Sequence, residues 1–346
     1  MRLSGIQKLT LLDFPGRTAA TVFTPGCNFR CPFCHNADLV RGMPEDAARQ
    51  GGAGAPEAPA RAPQAADAEA GTDSACPAGG AGGTDASDTG AAGAFPTYEL
   101  ADFFAFLDKR QGLLDGICIT GGEPLLQPGL ADFCARVRER GFAVKLDTNG
   151  SLPGRLRALV DAGLVDYVAM DVKNAPERYA ETAGVANLDL TRIRESVAFL
   201  MEGRVACEFR TTVVDGLHTE DNLLGIARWL ADAKAGQPVR TEAGNVADAA
   251  AGIERPAPAG TGGRNGQPAR ATAGTGAETE ADPKRPACTA AGAEAGWPPW
   301  FLQGFIDGEG VLGGTGRFHA WEPDGLRRIL PELQRIVPTA ALRGID

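Results

Sequence analysis

Six times along the chain a short apolar run gives way to a stretch with helical spacing. The runs are "AATVFT" at 19–24, "GICIT" at 116–120, "AVKLD" at 143–147, "VDYVAMDV" at 165–172, "ACEFRTTVV" at 206–214 and "WFLQGF" at 300–305. The helical stretches are 97–110, 129–140, 154–162, 189–202, 219–233 and 322–336; in the first, Leu100, Phe103, Phe104 and Leu107 share one face. Connections this long let consecutive strands pair only in parallel. The expected fold class is α/β: a partial (β/α)6, TIM-like barrel of parallel strands, because six strands fall short of the eight that close one. Chemistry in such sheets gathers at the C-terminal strand ends. Every conspicuous motif lies there, with cysteines after the first run, "TGGEP" after the second, "DTNG" after the third and "DVK" closing the fourth.

Two tracts interrupt this order, at 44–95 and 237–296. Rich in Ala, Gly and Pro, they hold too little Leu, Ile, Val or Phe to offset the entropy of ordering them. Both read as disordered insertions within a single domain spanning 1–346. Without these 52 and 60 residues, 234 of 346 remain, enough for one sizeable core. A formal charge of −10 and a pI of about 5.0 make a nucleic-acid backbone a poor partner. No stretch approaches the roughly 20 apolar residues that span a bilayer, so no membrane is expected. The opening "MRLSGIQKLTLLDFPGR" lacks a secretory signal's apolar core and cleavage site. The expected location is cytoplasmic, where thiols stay reduced and clustered cysteines bind metal more often than they form disulfides.

The densest cluster is "TPGCNFRCPFCHN" at 24–36, with Cys27, Cys31 and Cys34 followed by His35. The last five residues from Cys31 also spell a haem-attachment pentapeptide, although covalent haem usually belongs to exported proteins. Structural zinc normally takes four ligands. His35 could be the fourth, but adjacent ligation by Cys34 and His35 strains the backbone. Structural thiols are another reading, and thiolates also hold iron–sulfur clusters, usually four to a cluster. A four-iron cluster held by three thiolates leaves one iron open to an outside ligand, which turns an electron carrier into a site of chemistry.

Cys-x3-Cys-x2-Cys with an aromatic before the last cysteine resembles the radical S-adenosylmethionine (radical SAM) superfamily signature, and "TGGEP" resembles its glycine-rich strand end. The flanking "GIQKLTLLDFPGRTAATVFTPGCNFRCPFCHN", "KLDTNG", "VDYVAMDVK", "EFRTTVV" and "FLQGF" look like the activating proteins of anaerobic ribonucleoside-triphosphate reductase, a class of glycyl-radical enzyme activases. The resemblance covers both ends and the middle, omitting only the two insertions. It implies one radical SAM domain holding a [4Fe–4S] cluster on Cys27, Cys31 and Cys34, with S-adenosylmethionine completing the open iron. Reductive cleavage would give methionine and a 5′-deoxyadenosyl radical, which takes a hydrogen from a glycine of a partner enzyme. The implied partners are that glycyl-radical enzyme and a low-potential electron donor such as flavodoxin or ferredoxin.

Carried over residue by residue, the resemblance puts Gly121, Gly122 and Glu123 at the methionine amino group and Lys173 near the methionine end. It puts Asp147, Thr148 and Asp171 around a monovalent cation, and Arg210 at the ribose or carboxylate side. Phe33, with Asn28 and Phe29, would shape and shield the cluster, while Gln303 and Phe305 would flank the adenosyl group. Related activases often carry a basic residue just after this last strand, where Ile306 stands here. Plainer readings sit beside these. Gly121-Gly122 suits an ordinary strand-to-helix turn, with Pro124 opening the helix. Asp147-Thr148-Asn149-Gly150 suits turn and cap chemistry. Arg210 suits a salt bridge to Asp171 or Glu208, and Phe305 a core aromatic. Cys118, Cys134 and Cys207 read as buried packing residues. Cys76 and Cys288 stand alone in the insertions, so no second cluster is expected, and His218 and His319 read as surface or packing residues.

Four functions follow for comparison. One is activation of anaerobic ribonucleotide reductase; another is activation of a different glycyl-radical enzyme, such as a pyruvate formate-lyase type. A third is radical SAM chemistry on a small molecule, which usually calls for polar and aromatic recognition extensions that these insertions lack. The fourth, an electron-transfer protein, needs a fully ligated cluster, and no fourth cysteine lies at suitable local spacing.

Overall fold

The computed structural model describes residues 1–41, 98–236 and 296–345. The expectation of disorder at 44–95 and 237–296 therefore lies outside the described residues, save for Gly296. Eight strands form one sheet in chain order: β1 (Gly5–Thr10), β2 (Ala19–Thr24), β3 (Gly116–Gly121), β4 (Ala143–Thr148), β5 (Tyr167–Asp171), β6 (Ala206–Val213), β7 (Trp300–Gly304) and β8 (Ala340–Arg343). β1 runs antiparallel to β2, and every later pair is parallel. The outermost strands β1 and β8 do not pair, so the barrel stays open. All six expected strands are present, as β2 to β7.

The six expected helices are present too, as α2 (Leu100–Asp108), α3 (Leu130–Glu139), α4 (Pro153–Asp161), α6 (Leu190–Met201), α7 (Glu220–Lys234) and α8 (Pro323–Ile336). Two short ones were not expected, α1 (Ala37–Arg41) and α5 (Tyr179–Ala183). Helix starts follow local chemistry: Thr219 and Asn222 form a reciprocal capping box on α7, and Asp189 accepts the Thr191 N–H at the start of α6. No helix among the described residues is long and apolar enough to cross a membrane.

β1 and β8 escaped the sequence reading for physical reasons. β1 offers no apolar run, and its Gln7, Lys8 and Leu9 face solvent at the sheet edge. β8 is only four residues long.

The two faces of the sheet differ in kind. Outward-pointing Ile117, Ile119, Val144, Leu146, Val168, Met170, Phe209 and Leu302 are fully buried under the helices. The expected apolar face of α2 is there: Phe103, Phe104 and Leu107 are buried, and Phe103 stacks on Phe133 of α3 at 5.3 Å. Each such side chain contributes about 1.5–3 kcal/mol of burial. The inward face carries the alternate residues, and most are polar or charged. Phe14, Ala19 and Tyr167 plug the N-terminal end of the strands as a small separate cluster. Above them the Glu208 carboxylate accepts from the Tyr167 hydroxyl at 3.0 Å and from both terminal nitrogens of Arg343 at 3.0 and 2.8 Å. That fork ties edge strand β8 to the barrel interior.

Candidate active site

The three cysteines occupy an irregular loop after β2, and backbone contacts from three directions hold it. From the end of β3, Gly122 N–H donates to the Thr24 carbonyl at 2.9 Å and Glu123 N–H to Gly26 at 2.8 Å. A Cβ on Gly122 would lie 1.9 Å from the Gly26 oxygen, so only glycine permits this approach. From the end of α5, the Ala183 carbonyl accepts the Arg30 N–H at 2.9 Å and lies 3.7 Å from Cys31 Sγ. Gly184 sits at φ +66°, where a Cβ would meet the Arg30 oxygen at 2.1 Å. From the loop after β7, Leu312 N–H donates to Cys34 O at 2.9 Å and Gly313 N–H to Pro32 O at 2.7 Å.

His35 turns Nε2 toward the Ile306 carbonyl and packs its ring on Phe305, 5.2 Å between centroids. Neither 179–184 nor 305–313 carries a sequence signal for this role beyond its glycines.

These clamps place Cys27, Cys31 and Cys34 on one wall of a cavity of about 290 Å3. Phe29, Phe33, Gly121, Gly122, Asp147, Thr148, Asn149, Asp171, Lys173, Arg210 and Gln303 line it as well. Of the expected site residues, Asn28 and Phe305 are buried and do not reach the lining, and neither does Glu123. Its carboxylate is fully buried and accepts from Leu125 N–H at 3.0 Å, Thr148 Oγ1 at 2.9 Å and Asn149 N–H at 2.7 Å. Glu123 thus locks the β3 and β4 strand ends together, and burial raises its carboxyl to about 7 against those three donors.

The cavity is also lined by an ionic group, Asp147, Asp171, Lys173 and Arg210. Arg210 of β6 bridges the two expected carboxylates, with Nη1 3.1 Å from Asp147 Oδ2 and Nε 3.0 Å from Asp171 Oδ1. The remaining oxygens take lysines: Lys145 Nζ lies 2.5 Å from Asp147 Oδ1, and Lys173 Nζ 2.8 Å from Asp171 Oδ2. The salt bridge to Asp171 anticipated for Arg210 is therefore present, with Asp147 as its second partner. Burial alone would raise Asp171, but Arg210 and then Lys173 outweigh it and hold the carboxyl well below its usual range. For Lys145 burial pulls downward, and Asp147 more than reverses it.

Lys145 was missed, although Lys145 and Asp147 at alternate positions of one strand were a readable sign that they share a face. Cys118 needs a correction for the same reason. It is buried as expected, but faces the polar interior, 3.8 Å from both Asp147 Oδ1 and Lys145 Nζ. Cys134 and Cys207 are buried in the apolar shell as expected.

Two further groups support the site. Asn28 is buried, donating to Ser151 Oγ at 2.8 Å and accepting from Asn149 Nδ2 at 2.9 Å. The same Asn149 nitrogen lies 3.9 Å from Cys27 Sγ, which also receives the Phe29 N–H at 3.3 Å. His218 is buried beneath Lys173: Nδ1 accepts the Val214 N–H at 3.2 Å, which leaves Nε2–H to donate to the Lys173 carbonyl at 2.8 Å. His319 is exposed.

The sulfur wall suits a polynuclear cluster better than one ion. Among the described residues, no three His, Cys, Asp or Glu side chains converge on one point as a single metal ion requires. The thiols nonetheless feel one another's charge. Burial pushes Cys31 up to about 11, partly offset by Lys173, and lifts Cys27 well above its ordinary value. Bare thiolates are thus disfavoured here, and metal coordination would supply the missing positive charge. No fourth thiol lines the cavity among the described residues.

A family model described as the radical SAM superfamily matches residues 21–230. The chain belongs to this superfamily. Membership in the radical SAM superfamily implies a [4Fe–4S] cluster and S-adenosylmethionine, and the three-thiol wall fits that requirement. The chain is 28% identical over 239 residues to a candidate glycyl-radical enzyme activating enzyme of Methanocaldococcus jannaschii, covering 66% of this chain and 75% of the relative. Over a shorter stretch of 77 residues it is 42% identical to 7-carboxy-7-deazaguanine synthase of Methanopyrus kandleri, covering 22% of this chain and 30% of that one. Among solved structures, a domain of pyruvate-formate lyase-activating enzyme from Bacteroides vulgatus is similar at a TM-score of 0.40 and 14% identity, over 66% of this chain and 99% of that one. Streptococcus suis SuiB bound to S-adenosylmethionine is similar at 0.48 and 9%, over 94% and 52%. Both scores are too low to bear on the reaction.

Proposed function

We propose that this radical SAM protein is a glycyl-radical enzyme activase, and that its target is anaerobic ribonucleoside-triphosphate reductase. The observation that carries the chemistry is one cavity lined by three thiols and by an ionic network of Asp147, Asp171, Lys173 and Arg210, with Lys145 buried behind it. When bound, the cluster supplies the electron that breaks a sulfonium carbon–sulfur bond of S-adenosylmethionine. Cys27, Cys31 and Cys34 would hold it. Lys173 and Arg210 offer positive charge to the cofactor's carboxylate, while Asp147 and Asp171 fix the Arg210 guanidinium in place. Gly121 and Gly122 let the cysteine loop close against the end of β3 while lining the cavity, and buried Phe29 and Phe33 keep water from the sulfurs.

The activase reading is supported by the Methanocaldococcus relative, and the reductase target by the sequence wording around the motifs. Because that relative is described only as activating a glycyl-radical enzyme, activation of a different one, such as a pyruvate formate-lyase type, is the second reading. An anaerobic assay separates them. The reconstituted protein with S-adenosylmethionine and a low-potential reductant should release 5′-deoxyadenosine. Incubated with purified anaerobic ribonucleotide reductase, it should produce a glycyl-radical signal by electron paramagnetic resonance. 5′-Deoxyadenosine without that signal would move the target to another enzyme, and no 5′-deoxyadenosine would refute the reading altogether.

A further inference from the structure

The family resemblance calls for a monovalent cation among Asp147, Thr148 and Asp171, and the geometry here does not fit one. All four carboxylate oxygens already accept from a cationic side chain: Asp147 from Lys145 and Arg210, Asp171 from Arg210 and Lys173. The Thr148 hydroxyl is also committed, donating to Glu123 Oε1 at 2.9 Å and accepting the Gly150 N–H at 3.1 Å. Three cations against two carboxylates leave the network at +1. Two further carboxylates lie nearby: Glu208, by Arg210, is neutralised by the two-pronged contact from Arg343, and Glu123 is held by Leu125 N–H, Asn149 N–H and the Thr148 hydroxyl. An entering ion would find every oxygen of both carboxylates already paired with a cationic side chain, and so a like charge within a few ångströms, a repulsion that low-dielectric surroundings strengthen.

We infer that Lys145 stands in for the monovalent cation: its ammonium compensates Asp147 from inside the barrel, and the protein needs no Na+ or K+ at this site. Lys145 is suited to the task, being 1% exposed and rooted on β4 two residues before Asp147, so its stem is walled in by the sheet. A fixed ammonium holds Asp147 oriented toward Arg210 without depending on ion concentration. The inference rests on these ion pairs alone, not on the identity of the enzyme activated.

The test compares the full chain, with its cluster reconstituted and again without it, in sodium, potassium and tetramethylammonium chloride at equal ionic strength and pH. The wild-type melting temperature should be the same in all three within about 1 °C, since even 1 kcal/mol of specific binding would move a core of this size by about 2–4 °C. Release of 5′-deoxyadenosine should be equally indifferent to the ion. Lys145→Met frees Asp147 Oδ1. This variant should melt lower in tetramethylammonium and regain much of the loss in sodium or potassium. A wild-type melting temperature raised specifically by Na+ or K+ would overturn the inference, as would a Lys145→Met protein indifferent to the ion. Should Lys145→Met fail to fold, Lys145→Leu, which likewise offers Asp147 no donor, takes its place under the same criteria.

Discussion

The two walls of the cavity are built in opposite ways. The sulfur wall is an irregular loop fixed by main-chain hydrogen bonds from three neighbouring segments, at positions where glycine allows the contact, and Asn28, Arg30 and His35 add side-chain bonds to backbone and neutral groups. The ionic wall is the reverse. Its residues sit on regular strands β4 to β6 or just beyond, and side-chain charges fix one another in the chain Lys145–Asp147–Arg210–Asp171–Lys173. On the proposed function, the difference follows from what each wall would have to hold. Thiolates that bind a cluster are anchored by the metal itself once it arrives, so the protein has only to pre-shape the backbone. Charged groups that bind a cofactor's carboxylate have no such anchor and must be held by each other before the ligand comes.

That contrast can be broken or sharpened by substitution. The largest effect belongs to the sulfur ligands: Cys27→Ala, Cys31→Ala or Cys34→Ala should each bring 5′-deoxyadenosine release to background and remove the cluster's visible absorbance. The melting temperature of the cluster-free chain should change far less, because the thiols add only weak sulfur contacts, from the Phe29 N–H to Cys27 and from Cys31 to the Ala183 carbonyl, to a loop that the main chain holds. Next is Arg210→Met, which strands one oxygen on each of two half-buried carboxylates and should cost about 3 kcal/mol in denaturant unfolding. Gly184→Ala should cost about 2 kcal/mol. Its loss should not vary with salt, since the clash is with a backbone oxygen, and it should lower the iron bound per chain.

His218→Leu, which unpins the Lys173 carbonyl, should cost about 1 kcal/mol. It also carries a pH signature. Burial depresses the folded-state pKa of His218, so the stability tied to its neutral form is present above the ordinary histidine range and lost as pH falls through the lower folded value. Unfolding curves from pH 7.5 to 5.0, which span the ordinary histidine value of about 6.5, should show that slope in the wild-type chain and a flatter one in the variant.

Much of this arrangement was legible in the sequence, unevenly between the walls. The cysteine spacing and the motifs at strand ends announced themselves, because apolar runs locate strands and strand ends locate chemistry. Asp147, Asp171 and Lys173 were found that way and Arg210 through the family resemblance, and all four share one cavity. What holds the sulfur wall was not legible, because a backbone clamp leaves only scattered glycines such as Gly184 and Gly313 as its trace. Lys145 and Cys118 were overlooked because a short strand was taken as uniformly apolar, whereas the inward face of this barrel is polar along much of its depth. β1 escaped for the related reason that an exposed edge strand shows no hydrophobic period.

The central claim is that three thiolates leave one iron of a cluster to be completed by S-adenosylmethionine in the cavity that the ionic wall also lines. Its most direct test is the electron paramagnetic resonance spectrum of the reduced, reconstituted protein, recorded before and after S-adenosylmethionine is added. The account predicts that the cluster's signal changes shape and g-values on addition. A spectrum identical in both samples, under conditions where the nucleotide is shown to bind, would contradict it.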